Sequence, residues 1–274
     1  MEKLNPEAAR ELIIVKVSVL GSSSSGNSTF VAAGNTRILV DAGLSRKVTF
    51  EKLCAIDIDP ESLTAILITH EHSDHVAGLQ VIARTLGIPV YLSRLTAPSI
   101  AWGEYVPPIE LFQAGSSFSI GGIEVTSFTI PHDAADPVGF CFRAEGIKVS
   151  IATDLGYLPD SIRIHLRGSN LLLLESNHSL ELLKVGPYPW SVKQRVMSRV
   201  GHLSNDAACE FVRNELDTET SILILGHLSE HNNHPVLVRQ AAEEALNGRA
   251  LFTRLVVVEP PSRPAGQAPE SFVY

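Results

Sequence analysis

Three histidines and an aspartate fall in one short run, His70-Glu71-His72-Ser73-Asp74-His75. Imidazole and carboxylate are the usual ligands of zinc, manganese and iron. A short loop leaving a strand aims residues two apart at one ion while the next two face a neighbouring ion. The run follows the apolar stretch Ile66 to Ile68, so a merely solvated polar loop does not account for it. His132, Asp154 and His227 follow strand-like stretches ending at Ile130, Thr153 and Leu225, the position His70 takes after its own strand. Residues at the same ends of neighbouring strands converge, which makes these three the natural remaining ligands. The set fits zinc, manganese and iron(II) alike.

Two further segments carry potential chemistry. The loop Gly21-Ser22-Ser23-Ser24-Ser25-Gly26-Asn27-Ser28 offers backbone amides for an anion, or it is a tight turn between strands that lines a cleft. It lacks the lysine of a P-loop, which argues against a nucleotide cofactor. Lys184 to Arg199 gathers Lys193, Arg195 and Arg199 around Tyr188 and Trp190, either as a local strip for a polyanion or as a solvated helix face. Such a strip would have to be local. With 30 acidic against 22 basic side chains and a formal net charge of −8, the whole molecule repels nucleic acid.

Positioning these residues requires strands. Val15 to Leu20, Phe30 to Ala33 and Arg37 to Val40 read as successive strands, and Thr64 to Thr69, His75 to Leu86 and Pro89 to Leu92 as strand, helix and strand. Strands continue at Ile123 to Ile130, Gly139 to Arg143 and Lys148 to Thr153. Beyond Asp154, strands at Leu171 to Leu174, Ser221 to Leu225 and Leu251 to Val258 alternate with helices at Ser191 to Val200, Asn205 to Glu215 and Pro235 to Leu246. The pattern predicts an α/β protein of two sheets covered by helices, a four-layer αββα sandwich. One domain is expected over residues 1–258, followed by a proline-rich tail at 259–274 expected to be disordered or loosely docked. Cys54, Cys141 and Cys209 form no CxxC pair, so neither a disulfide framework nor a cysteine zinc site is expected. The absence of an apolar leader or a membrane-spanning run predicts a cytoplasmic protein without a membrane partner.

The run from His70 to His75 resembles the HxHxDH signature of the metallo-β-lactamase superfamily, and Asp41 in Val40-Asp41-Ala42-Gly43, His132, Asp154 and His227 follow in that superfamily's order. The resemblance implies the metallo-β-lactamase fold and two divalent metal ions. One would be held by His70, His72 and His132, a second by Asp74, His75 and His227, and Asp154 would bridge both. A hydroxide between the ions would be the nucleophile. Asp41 would position a ligand loop without binding metal itself.

Segments the metals do not require narrow the family. The serine loop, Pro131-His132-Asp133-Ala134, Ala152-Thr153-Asp154-Leu155-Gly156, Glu175-Ser176-Asn177-His178, Gly186-Pro187-Tyr188-Pro189-Trp190-Ser191, Gly201-His202-Leu203-Ser204-Asn205 and His227-Leu228-Ser229 resemble the YycJ/WalJ family of bacterial metal-dependent exonucleases. That family often has Glu-Asn-Asn where this chain has Glu230-His231-Asn232-Asn233. The resemblance implies 5′ to 3′ exonucleolysis of duplex DNA, with Lys193 and Arg195 on phosphate and Trp190 stacking a base. Asp74, His202 and Glu175 are the candidate catalytic residues. Gly201-His202-Leu203-Ser204 is also similar to a segment of the tRNA 3′-processing endonucleases, and this similarity points to His202, with Glu175 as its partner, as a proton donor to the leaving oxygen, the alternative being a histidine that only packs at a helix N-terminus. The rival readings are an RNA-processing nuclease, a small-molecule hydrolase on the same fold (cyclic phosphodiesterase, thioesterase or lactonase), and a non-enzymatic regulatory partner.

Overall fold

Strands that are apolar on both faces must be covered on both faces. In the third strand Ile38 and Val40 point one way and Leu39 the other, and all three are buried, the first two in one core and Leu39 in another. The computed structural model describes residues 14–247, 249, 252–259 and 268–274. Its first sheet contains β1 (Val15–Gly21), β2 (Ser28–Ala33), β3 (Thr36–Val40), β4 (Ala65–Leu67), β5 (Val90–Ser93) and β6 (Ile109–Phe112). The second contains β7 (Ser117–Ile120), β8 (Ile123–Thr129), β9 (Val138–Ala144), β10 (Ile147–Ala152), β11 (Leu171–Glu175), β12 (Ile222–Gly226) and β13 (Arg254–Val257). A last strand, β14 (Ser271–Val273), returns to the first sheet. The spatial orders are β14-β1-β2-β3-β4-β5-β6 and β13-β12-β11-β10-β9-β8-β7.

From β3 to β6 and from β10 to β13 the pairing is parallel, which requires long crossovers, here mostly helical. The crossovers carry α1 (Arg46–Cys54), α2 (Ser73–Val76) and α3 (Leu79–Leu86) on one side. On the other lie α4 (Asp160–Leu166), α5 (Leu180–Val185), α6 (Trp190–Val196), α7 (Asn205–Glu215) and α8 (Pro235–Leu246). Leu53, Leu79 and Ile82 pack against Phe30, Leu39 and Ile66 on the outside of the first sheet. Ile162, Phe211 and Val238 pack against Leu172, Leu174 and Leu223 on the outside of the second. Val17, Val31 and Ile38 meet Phe140, Leu171 and Ile224 between the sheets. The result is the expected αββα order.

Two local expectations differ from the structure. The helix expected from His75 to Leu86 is divided at Gly78, where a Cβ would lie 2.0 Å from the Leu44 carbonyl oxygen. The tail also needs correction, because its end is neither disordered nor loose. Ser271, Phe272 and Val273 pair with Ser18, Val17 and Lys16, Phe272 is buried in the inter-sheet core, and the Tyr274 hydroxyl donates to the Asn170 carbonyl at 3.0 Å. A buried aromatic ring and a free sheet edge together outweigh the disorder that prolines favour. Residues 260–267 of the tail lie outside the described residues. Among the described residues no helix is long and apolar enough to cross a membrane.

Phe272→Ala is expected to lower unfolding stability by roughly 3 kcal/mol or more, the usual cost of removing a buried phenylalanine. A urea midpoint equal to that of the unaltered chain would show that β14 contributes nothing.

Candidate metal centre

The site lies where several strands end. Asp41 follows β3, Thr69 and His70 follow β4, His132 follows β8, Asp154 follows β10, Glu175 ends β11 and His227 follows β12. β8 and β10 are both antiparallel to β9, so these residues of the second sheet share one edge. It is the carboxyl-terminal edge, where open α/β sheets place ligands. Asp41, Asp154 and His227 have left-handed backbone, with φ of 60°, 60° and 55°. Such conformations cost on the order of 1–3 kcal/mol each in side-chain-bearing residues and collect at functional sites.

Two groups of side chains converge there. His70 Nε2 and His132 Nε2 lie 3.1 and 3.2 Å from His72 Nδ1. In the second group, His75 Nε2 is 3.4 Å from Asp74 Oδ2 and 3.3 Å from Asp154 Oδ2, and His227 Nε2 is 3.6 Å from Asp74 Oδ2. Asp154 faces both groups, since its Oδ1 is 3.9 Å from His132 Nε2.

The other ring nitrogens are held. His132 Nδ1 donates to the Gly201 carbonyl at 3.1 Å, and His75 Nδ1 to Asp41 Oδ2 at 2.8 Å. His227 Nδ1 donates to Glu175 Oε1 at 2.8 Å. His70 Nδ1 lies 3.0 Å from Thr69 Oγ1, whose proton is committed to Asp41. Fixing Nδ1–H in this way leaves each Nε2 with a lone pair aimed inward. Asp154 Oδ2 and His227 Nε2 are buried with no hydrogen-bond partner. Lone pairs converging at these separations repel unless a cation or proton lies among them. Five imidazoles and two carboxylates are a donor set that divalent transition metals accept, and each of the two groups could hold an ion.

The two halves differ electrostatically. Burial, reinforced by the neighbouring His75, drives His70 well below its usual pKa, and burial also lowers His132. Both are neutral imidazoles, the form that binds metal. Burial opposes a charged His227, but Asp154, Asp74 and Glu175 outweigh it and push its pKa up to about 10. Asp154 and Asp41 likewise overcome burial to raise His75. The carboxylate half therefore demands positive charge.

Glu175 is fully buried. Its Oε1 accepts from His202 Nδ1 and His227 Nδ1, each at 2.8 Å, while its Oε2 accepts the Leu155 and Leu203 amides at 2.8 and 3.1 Å. Burial alone would raise its pKa, but the two imidazoles hold it down at about 2. His202 thus stands beside the cluster, with its Nδ1 3.8 Å from Asp154 Oδ1.

The serine loop is a turn lining this cleft and not an anion cradle. The Gly26 amide donates to Ser23 O at 3.0 Å, the Asn27 amide to Asp74 O at 2.7 Å, and the Ser25 amide to Ser23 Oγ at 3.1 Å. Those donors are taken. Ser22 Oγ in turn accepts the His227 amide at 2.8 Å.

The basic segment divides. Trp190 opens α6 and is 63% exposed. Arg195 pairs with Asp133, the residue after His132, at 2.5 Å and remains half exposed. Lys193 needs correction as a phosphate contact. It is buried, and its ammonium donates to the Lys184 carbonyl at 2.7 Å, so it fastens α6 to α5 and does not face solvent.

Two residues emerge that the sequence did not single out. Glu71 accepts the Ala135 amide at 2.8 Å and braces the loop carrying His132. Asn233 Nδ2 lies 2.9 Å from the Ser176 and Asn177 carbonyl oxygens and ties the loop after His227 to the loop after Glu175. The position of Glu71 inside the histidine run was the available signal for the first, and the Asn-rich loop after His227 for the second.

Fold and site together define a metal-dependent hydrolase of metallo-β-lactamase type, and the profile of the family described as "Beta-lactamase superfamily domain" matches residues 36–228. Within that superfamily the chain belongs to the YycJ/WalJ family. It is 38% identical over 232 residues to exodeoxyribonuclease YycJ of Bacillus anthracis, covering 84% of this chain and 88% of that protein. It is 37% identical over 241 residues to exodeoxyribonuclease WalJ of Streptococcus pneumoniae, covering 84% and 90%. In structure it resembles the metallo-β-lactamase fold protein YhfI of Bacillus subtilis, with a TM-score of 0.72 at 17% identity over 95% of this chain and all of that one.

Asp41→Asn keeps a residue type that tolerates left-handed backbone but disturbs the acceptor for His75 and Thr69. The variant is expected to bind metal about 10–100-fold more weakly. Metal analysis after dialysis checks this, and full retention of metal would contradict the role of Asp41.

Proposed function

We propose that this chain is a cytoplasmic two-metal nuclease that degrades duplex DNA from the 5′ end. His70, His72 and His132 hold one ion, Asp74, His75 and His227 hold the other, and Asp154 serves both. The observation that carries the reading is His202, fixed by the same Glu175 oxygen that fixes His227. The exodeoxyribonuclease names of relatives at 37–38% identity support the substrate.

Bound there, divalent ions lower the pKa of water and offset charge on the attacked phosphoryl group, whichever of zinc, manganese or iron(II) is supplied. The chain's own residues do the rest. Water gives up a proton to solvent as it attacks phosphorus, the bond from phosphorus to the 3′-oxygen breaks, and His202 gives that oxygen a proton that it regains from solvent after release. Glu175 holds the His202 ring by its Nδ1, beside Asp154. Arg195 and Trp190 lie on a segment joined to His132 through Asp133. From there a guanidinium can meet backbone phosphate and an exposed indole can stack a base. No part of this route needs a serine or cysteine nucleophile.

Manganese-supplemented digestion of duplex DNA labelled at one end or the other is expected to release mononucleotides first from the 5′ end. Preferential cleavage of RNA, or turnover of bis-p-nitrophenyl phosphate without cleavage of DNA, would overturn the substrate. His202→Ala is expected to lower kcat on DNA by about 10²–10⁴ with metal content unchanged, and full turnover would remove His202 from the mechanism. Arg195→Glu should weaken DNA cleavage at every salt concentration and make its loss with rising salt shallower. Lys193→Ala should reduce stability and leave the salt dependence unchanged.

A further inference from the structure

Asn27, in the serine loop, is buried. Its Nδ2 lies 3.0 Å from Asp74 Oδ2, 3.1 Å from the Ser23 carbonyl oxygen and 3.0 Å from His75 Nε2. The first two partners only accept, so the two N–H bonds of the amide point to them and its orientation is set. Turning the amide over would press Oδ1 against two oxygens. In the orientation observed, Oδ1 is buried without a hydrogen-bond partner. Leaving a polar atom unpaired in the interior is costly, and here it accompanies an amide group held against the Asp74 carboxylate.

The surrounding backbone is built to the same end. The Asn27 amide donates to the Asp74 carbonyl at 2.7 Å, and the Gly43 amide donates to the Asn27 carbonyl at 2.9 Å. A Cβ on Gly43 would lie 1.6 Å from Asp74 O and 2.7 Å from Asn27 N, so only glycine lets the serine loop, the Asp41–Leu44 segment and α2 meet. Ser22 of the same loop receives the His227 amide. Asp74 and His227 are thus held from one loop that contributes no expected ligand, whereas no hydrogen bond of the loop reaches His70, His72 or His132.

We infer that Asn27 is a positioning residue for the carboxylate half of the centre. By donating to one oxygen of Asp74 it fixes the rotamer of that side chain beside His75, and so sets the affinity of one cation site independently of the other. The inference rests on the two-ion reading proposed above.

The test is calorimetric titration of manganese into full-length, chelator-stripped protein. The unaltered chain is expected to show two binding events. Asn27→Asp keeps the size and packing of the side chain but replaces the donor with an acceptor, and Asn27→Ala removes it. Both are expected to weaken one event about 10–100-fold and leave the other unchanged, with metal-free Asn27→Asp still folded but at a lower unfolding midpoint, because its carboxylate faces the oxygens of Asp74 and Ser23. If Asn27→Ala does not fold, Asn27→Asp carries the test. Two unchanged events in Asn27→Asp would reduce Asn27 to packing and overturn the inference alone. Tighter binding in Asn27→Asp would make the position a ligand site and overturn it too. A single event in the unaltered chain would sink the two-ion reading and this inference with it.

Discussion

A charged carboxylate with no access to water is tolerable only if every lone pair is occupied, and the arrangement around Glu175 follows from that requirement. Two imidazoles and two backbone amides meet it, and they come from three separate stretches of chain: the loop after Asp154, the Gly201–Leu203 turn, which gives both the His202 ring and the Leu203 amide, and the loop after β12. Whatever brings Glu175 to the end of β11 must therefore bring those loops together. One oxygen orients an imidazole of the histidine cluster and the imidazole beside it, so the geometry of His227 and that of His202 cannot vary separately.

The opposite wall repeats the logic with Asp41, which receives Thr69 and His75. Each sheet thus supplies a buried acid at a strand end that fixes an Nδ1 and turns an Nε2 inward. The left-handed backbone of Asp41, Asp154 and His227 marks where the chain turns sharply enough to aim these groups. That strain is supported by two packed sheets whose cores lie directly behind the cleft.

How much of this was legible depends on sequence distance. His70 to His75 could be read because six contiguous residues after an apolar strand need little tertiary knowledge to be placed. His132, Asp154 and His227 were legible through their shared position after strands. The sharing of Glu175 between His202 and His227 was not, because it joins positions 27 and 52 residues apart across parallel strands whose register the sequence does not state. Lys193 misled for a related reason. A basic residue on a short helix looks solvated until the neighbouring helix end that accepts its proton is known. The serine loop was ambiguous because free and occupied amides are the same in sequence. The tail was misjudged because proline content says nothing of an open sheet edge waiting for a strand.

That strand has a bearing unconnected with catalysis. β1 would otherwise present a row of unpaired backbone donors and acceptors to solvent, a template for pairing with another molecule. Ser271 to Val273 cap the row, and the Tyr274 hydroxyl reaches across to the starts of β11 and β12, at the end of the sandwich away from the cleft. Here three residues act as edge protection. Sequence drift in them would appear first as self-association and poor colloidal behaviour, in a protein whose cleft was still intact.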